Sequence, residues 1–150
     1  MTILCLDVGD KRIGVAVSDP SESIAQGIEQ ISRDKHPDKG IGRIKELIHT
    51  YKTGKLVVGQ PLGLRGEKGT QAQKVEKFVN YLRSQINIPI ILIDETLSTA
   101  AAEKILREAK LTLSKRKKVK DKLAAAIILE DYLEWQRSEI RNSAGKLDSP

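Results

Sequence analysis

Three acidic positions stand where simple packing would not put them: Asp7, the pair Asp94-Glu95, and Asp121. Asp7 interrupts the apolar run Thr2-Ile3-Leu4-Cys5-Leu6-Asp7-Val8, and a turn follows at once in Gly9-Asp10-Lys11-Arg12. An ionised carboxylate in apolar surroundings costs several kcal/mol unless it is paired, hydrogen-bonded or bound to a metal. Asp7 therefore needs a partner. Asp94-Glu95 closes the run Pro89-Ile90-Ile91-Leu92-Ile93. Neighbouring strand residues point to opposite faces, so at most one of the two acids can share a site with Asp7, and spacing does not choose between them. Asp94 also reads as a loop cap or as a supporting residue behind its neighbour. Asp121 opens the stretch Asp121-Lys122-Leu123-Ala124-Ala125-Ala126-Ile127-Ile128-Leu129. Its three alanines would let a helix approach a sheet closely, although an acid there also suits the helix dipole alone. Converging carboxylates repel and take up protons unless cations neutralise them. Oxygen donors without His or Cys suit Mg²⁺ or Mn²⁺. Two such ions about 4 Å apart can activate a water and stabilise the leaving oxygen of a phosphodiester.

The elements that would position these acids follow from periodicity. Thr2 to Val8 is a buried strand, and Ile13, Val15 and Val17 alternate with Gly14, Ala16 and Ser18 in a second. Their short connection predicts an antiparallel hairpin. A weaker third strand covers Ile24 to Ile31, and Arg33 to Gly40 is a polar loop. Ile41, Ile44, Leu47 and Ile48 share one face of a helix spanning about Pro37 to Tyr51, closed by Gly54. Lys55 to Gly59 is a buried strand. Thr70 and Gln73 predict a capping box for a helix to about Gln85, with Val75, Val79 and Leu82 inward. Ile88 to Ile93 is a strand. Ser98 caps a helix striped by Ala101, Ala102, Ile105, Leu106 and Ala109, a basic connection spans Lys110 to Lys120, and a last helix runs from about Val119 to Trp135.

That order predicts an α/β fold: one domain over 1–137 with a mixed central sheet, an antiparallel hairpin extended by parallel strands, and helices on both faces. Residues 138–150 read as a polar, flexible tail. Ligands of such sheets bind beyond the carboxyl ends of parallel strands. Asp7, the loop after Gly59 and Asp94-Glu95 all fall there.

Two basic features lie nearby. The loop Gly59-Gln60-Pro61-Leu62-Gly63-Leu64-Arg65-Gly66-Glu67-Lys68-Gly69-Thr70 leads into a helix, where free N–H groups favour anions, and it carries Arg65 and Lys68. It is no Walker A loop, since no Gly-Lys-Ser/Thr ends it. Lys115, Arg116, Lys117, Lys118, Lys120 and Lys122 surround Asp121. Such a run is often only a solvated face. Beside a metal ligand it would track a phosphate backbone, and six neutralised phosphates would give a log–log salt slope of about −5.

Composition narrows the partners. The net charge of +6 over 150 residues favours a polyanion, nucleic acid before an acidic membrane. Aromatic residues are 3% of the chain, too few for a base-stacking platform. Cys5 is the one cysteine, which excludes disulfide scaffolds and cysteine zinc sites and fits a reducing cytoplasm. The N-terminus lacks the pattern of a signal peptide, and no apolar stretch is long enough for a bilayer.

Taken together, Asp7-Val8-Gly9-Asp10-Lys11-Arg12-Ile13-Gly14-Val15-Ala16-Val17-Ser18-Asp19, Val58-Gly59-Gln60-Pro61-Leu62, Asp94-Glu95-Thr96-Leu97-Ser98-Thr99 and Lys120 to Leu129 resemble the YqgF/RuvX family. Its members are pre-16S rRNA nucleases related to Holliday-junction resolvases, with a ribonuclease H-like fold. The resemblance implies that Asp7, Glu95 and Asp121 are the catalytic, metal-holding acids, with Mg²⁺ (or Mn²⁺) as cofactor. It thereby selects Glu95 over Asp94. Lys11, Arg12, Arg65, Lys68, Lys117, Lys118 and Lys120 would then line the nucleic-acid path. The implied function is endonucleolytic processing of the 5′ end of precursor 16S rRNA, leaving a 5′-phosphate and a 3′-hydroxyl, with ribosomal particles among the partners. The alternatives are resolution of four-way DNA junctions, which would favour a homodimer over a monomer, and non-catalytic RNA binding in ribosome assembly or transcription. Two residues depart from the family pattern: Thr96 stands where an Arg is usual, and Gln60 where an apolar residue is usual.

Overall fold

The computed structural model describes residues 1–35, 38–62, 67–95 and 113–147. The chain runs β1 (Thr2–Val8), β2 (Arg12–Ser18), β3 (Ala25–Ser32), a 3-10 turn (Arg33–Lys35), α1 (Ile41–Thr50), β4 (Thr53–Gln60), α2 (Thr70–Gln85), β5 (Ile90–Asp94) and α3 (Leu113–Leu147). The helix expected from Ser98 lies outside the described residues.

The strands form one sheet in the order β3-β2-β1-β4-β5. β1 pairs antiparallel with β2, and β2 with β3, while β1–β4 and β4–β5 are parallel. This is the mixed sheet expected from the sequence. Side-chain alternation sends one set of strand residues to each face. Leu4, Leu6, Val8, Ile13, Val15 and Val17 pack against Ile41, Ile44 and Leu47 of α1 and against Val75, Phe78, Val79 and Leu82 of α2. Ile3, Cys5, Ala16 and Val57 meet Ala125, Ile128, Leu129, Tyr132 and Leu133 of α3 on the other face. Ala124 and Ala125 are wholly buried, as a helix lying close on a sheet requires.

Three local expectations are corrected. Thr70 is the first residue of α2 and Gly69 its N-cap, with no side-chain cap bond, so the Thr70–Gln73 box does not form. Gly54 does not close α1. It lies in β4, and the turn is made at Tyr51 and Lys52, where Lys52 takes a left-handed φ of 51° and the Thr2 hydroxyl donates to the Tyr51 carbonyl (2.8 Å). The last helix is also longer at both ends than Val119 to Trp135, taking in part of the basic connection and residues 138–147. Lys and Arg are good helix formers, no proline interrupts the stretch, and Arg137 and Arg141 both pair with Glu134.

The carboxyl ends of β1, β4 and β5 fall on one edge of the sheet. Asp7 shares the parity of Ile3 and Cys5, so it belongs to the face that α3 covers. Its β2 partner is Gly14, which carries no side chain.

Candidate active site

The buried acid is Glu95. Asp7, expected to be the hidden charge, is only half-buried at the end of β1, whereas Glu95 is 5% exposed. Glu95 follows β5 directly and extends the β4–β5 pairing by one bond, its N–H donating to the Gln60 carbonyl (3.1 Å). Its side chain turns back over β4. A Cβ placed on Gly59 would lie 2.6 Å from Glu95 Oε2 and 2.9 Å from Ile128 Cδ1. The carboxyl group thus rests on the bare backbone of Gly59, beside an apolar side chain of α3.

Glu95 and Asp7 are in hydrogen-bonding contact, and Glu95 Oε2 is buried with no hydrogen-bond partner among the described residues. Burial is the main cause that lifts the Glu95 carboxyl well above the usual carboxylate range. The Asp7 charge, the hydrogen bond to Asp7 and, least of the three, the charge of Asp94 act in the same direction. Cys5, next on the same face, has its thiol raised by burial first and then by Asp7 and Glu95. Two acids this close cannot both ionise at low cost. A proton or a cation between them resolves the conflict. Two carboxylates with one oxygen left unbonded in a dry setting form a donor set that fits a hard divalent cation.

The remaining acids differ. Asp94 is exposed at the end of β5, opposite Gln60. Asp121 is placed by its main chain only, within α3. Among the described residues no set of three metal-ligating side chains converges. Of the basic residues, Lys11 is exposed and Arg12 half-buried at the β1–β2 turn. Lys68 pairs with Glu76 (2.9 Å), and Lys74, not singled out from the sequence, pairs with Asp10 (3.3 Å). Arg65 lies outside the described residues, and Lys117, Lys118 and Lys120 are placed along α3 by their main chain.

Two residues gain a physical role that spacing did not supply. A glycine inside an apolar strand marks close approach of another group, and at Gly59 that group is the Glu95 carboxyl. Gln60 is 6% exposed and bridges two elements. Its Nε2 donates to the Ala72 carbonyl in the first turn of α2 (3.3 Å), while its own carbonyl accepts the Glu95 N–H. An apolar residue could not make the first of these bonds.

The model of one family, described as "RuvX: Holliday junction resolvase", matches residues 1–135. The chain belongs to the RuvX family. By family it is a nuclease. A relative from Thermoanaerobacter pseudethanolicus named "Putative pre-16S rRNA nuclease" is 48% identical over 140 residues, 93% of this chain and 100% of its own length. One of the same name from Pelotomaculum thermopropionicum is 42% identical over 97% of this chain and 95% of its own. The RuvX fold is shared with two solved resolvases. Fowlpox virus resolvase in complex with Holliday junction DNA superposes with a TM-score of 0.58 at 14% identity, covering 91% of this chain and 99% of that one. RuvC of T. thermophilus with a junction substrate gives 0.52 at 18% identity, covering 85% and 90%. Both support a ribonuclease H-like fold.

Proposed function

We propose that this RuvX protein is a divalent-metal-dependent endonuclease that trims the 5′ end of precursor 16S rRNA in the cytoplasm. The observation that carries the metal-site reading is the buried Glu95 carboxyl, one oxygen unbonded, set against Asp7. Asp7 and Glu95 would hold Mg²⁺ (or Mn²⁺), with Asp121 as the third acid and Asp94 supporting Glu95 from the strand end. When bound, such an ion supplies a water nucleophile at neutral pH and neutralises charge on the scissile phosphate. The protein's own part is to keep the site dry from beneath. The backbone of Gly59 and the buried side chains of Ile128 and Cys5 would form its floor. The proton between Asp7 and Glu95 must leave before a cation binds, so cation affinity rises with pH. Lys11, Arg12, Arg65, Lys68, Lys117, Lys118 and Lys120 would track the phosphate backbone.

Precursor rRNA is the substrate named by the curated relatives, and ribosomal particles are the partners that follow from it. The free buried thiol of Cys5 fits a cytoplasmic setting, and no helix among the described residues is long and apolar enough to cross a membrane. A four-way DNA junction is the second reading, favoured by the description of the family itself.

The test offers Mg²⁺ with a precursor rRNA fragment or a four-way junction to wild type and to Asp7→Asn. Wild type should cut the RNA, and Asp7→Asn should lose at least about 100-fold in rate while retaining binding. Cleavage of the junction alone would establish the second reading. Cleavage of neither, with tight binding by both proteins, would leave a non-catalytic RNA-binding factor. Thermal melting gives an independent check: at 100 times Kd, Mg²⁺ should stabilise wild type by about 2.7 kcal/mol, and Asp7→Asn by much less. Equal shifts in the two proteins would place the ion elsewhere.

A further inference from the structure

We propose that Arg33 is a positioning residue for Asp7, acting through the main chain of the β1–β2 turn; this rests on Asp7 being a cation ligand. Arg33 comes from a third element, the 3-10 turn that follows β3. Its backbone N–H donates to the Lys11 carbonyl (2.8 Å), and its Nη1 donates to the Gly9 carbonyl (2.7 Å). Its guanidinium carbon lies 5.0 Å from the centroid of the Phe78 ring of α2.

Gly9 lies two residues beyond Asp7, and the turn is closed within the hairpin by a bond from the Gly9 N–H to the Arg12 carbonyl (2.8 Å). A short turn held this way can still rock about the end of β1. Arg33 anchors it from the side, and Gln71 Nε2 reaches the Val8 carbonyl from α2 at 3.4 Å. Both carbonyls that follow Asp7 are thus bonded by side chains from outside the hairpin. The Gly9 bond is the shorter of the two and carries the positive charge.

Two features set Arg33 apart from an ordinary surface arginine. Its guanidinium lies over an aromatic ring of the core, and a lysine there would keep the charge but not the several donors of the planar fork. Its Nε is buried without a hydrogen-bond partner, a cost that ordinary packing would avoid. Arg33 accepts that cost while spending its bonds on main-chain carbonyls of the turn. A shift of the turn moves the Asp7 carboxyl against Glu95, and misplacement of a reacting group by an ångström can cost about 100-fold in rate.

The experiment compares wild type, Arg33→Met and Arg33→Lys in three measurements: steady-state cleavage of the precursor rRNA fragment, Mg²⁺ titration of the rate, and amide hydrogen exchange at Gly9. Arg33→Met should lower kcat about ten-fold and raise the Mg²⁺ needed for half-maximal rate, with KM within about two-fold of wild type. Exchange of the Gly9 amide should quicken by about ten-fold or more while α3 amides stay unchanged. Arg33→Lys should lie between the two. It also serves as the test if Arg33→Met does not fold. An unchanged kcat, or a rise in KM alone, would overturn the proposal, the latter making Arg33 a substrate contact. A wild type that cuts nothing would instead remove the reading of Asp7, and unaltered Gly9 exchange would remove the clamp itself.

Discussion

Glu95→Gln is expected to make the metal-free protein more stable at pH 8 and to leave it without cleavage activity. The sign follows from the raised pKa of Glu95, caused first by its burial and then by the neighbouring Asp7 charge. In the unfolded chain Glu95 has an ordinary carboxylate pKa. Between that value and the raised one, the folded state holds a proton that the unfolded state has lost. Stability from this group is therefore complete below the ordinary pKa and is lost as pH rises through the raised one. At pH 8 the native protein pays for either an ionised buried acid or a proton taken from solution. Glutamine is neutral, similar in volume, and can donate an amide hydrogen towards Asp7 in place of the carboxyl proton. The substitution should raise stability by about 1–3 kcal/mol at pH 8, a gain of several degrees in Tm, and by much less at pH 5. Added Mg²⁺ should reverse the order, stabilising wild type and not the variant. Cleavage should fall by about 1,000-fold or more with the loss of a charged ligand. Melting curves at the two pH values, each with and without Mg²⁺, check all of this. A variant less stable than wild type at both pH values would mean that Glu95 makes structural bonds rather than holding an open ligand position.

Such a stability gain on removing a functional residue marks a site where local rules are broken for function. That conflict was legible in the sequence at Asp7, whereas the deeper burial lies at Glu95. Asp7 stood out because it interrupts an apolar strand, and in the structure it shares the parity of Ile3 and Cys5. Its burial was overestimated, because opposite Gly14 and at a strand end the group reaches the edge of the sheet. Glu95 was selected over Asp94 by the family resemblance and not by spacing, since nothing in Ile93-Asp94-Glu95 says that the chain turns its side chain back over β4. That turn depends on Gly59, 36 positions away in sequence and next to β5 only once the parallel sheet has formed. The mixed character of the sheet was readable, because a short turn after the first strand calls for an antiparallel hairpin and helical crossovers call for parallel strands. Helix ends were less so. The Thr70–Gln73 pattern fits a cap, but α2 begins one residue earlier than that cap requires, and no composition rule distinguishes the two registers.

Gly59→Ala is the sharpest test of how the site is built, because it adds one methyl group and no charge. The backbone of Gly59 is ordinary strand, so alanine meets no conformational penalty there and the cost is one of space alone. The new Cβ would lie 2.6 Å from Glu95 Oε2 and 2.9 Å from Ile128 Cδ1, and both distances demand movement. Ile128 is fully buried against the sheet, so its adjustment strains the α3 core, and overpacking of this kind costs about 1–3 kcal/mol. Glu95 yields by moving its carboxyl, which disturbs its contact with Asp7 and should lower cleavage by about 100-fold. Stability and activity can then be separated with a second substitution. Ile128→Val removes the Cδ1 methyl and, alone, should cost about 0.5–1.5 kcal/mol and leave cleavage near wild type. Combined with Gly59→Ala, it relieves the apolar clash but not the contact with Oε2. The double variant should regain stability beyond the sum of the single effects, a favourable coupling between neighbours, while its cleavage stays as low as that of Gly59→Ala. Recovery of both together would mean that α3 packing alone sets activity and that Glu95 does not need the bare backbone beneath it. Recovery of neither would mean that the strand itself has shifted, which the exchange rates of the Val58 and Glu95 amides would report.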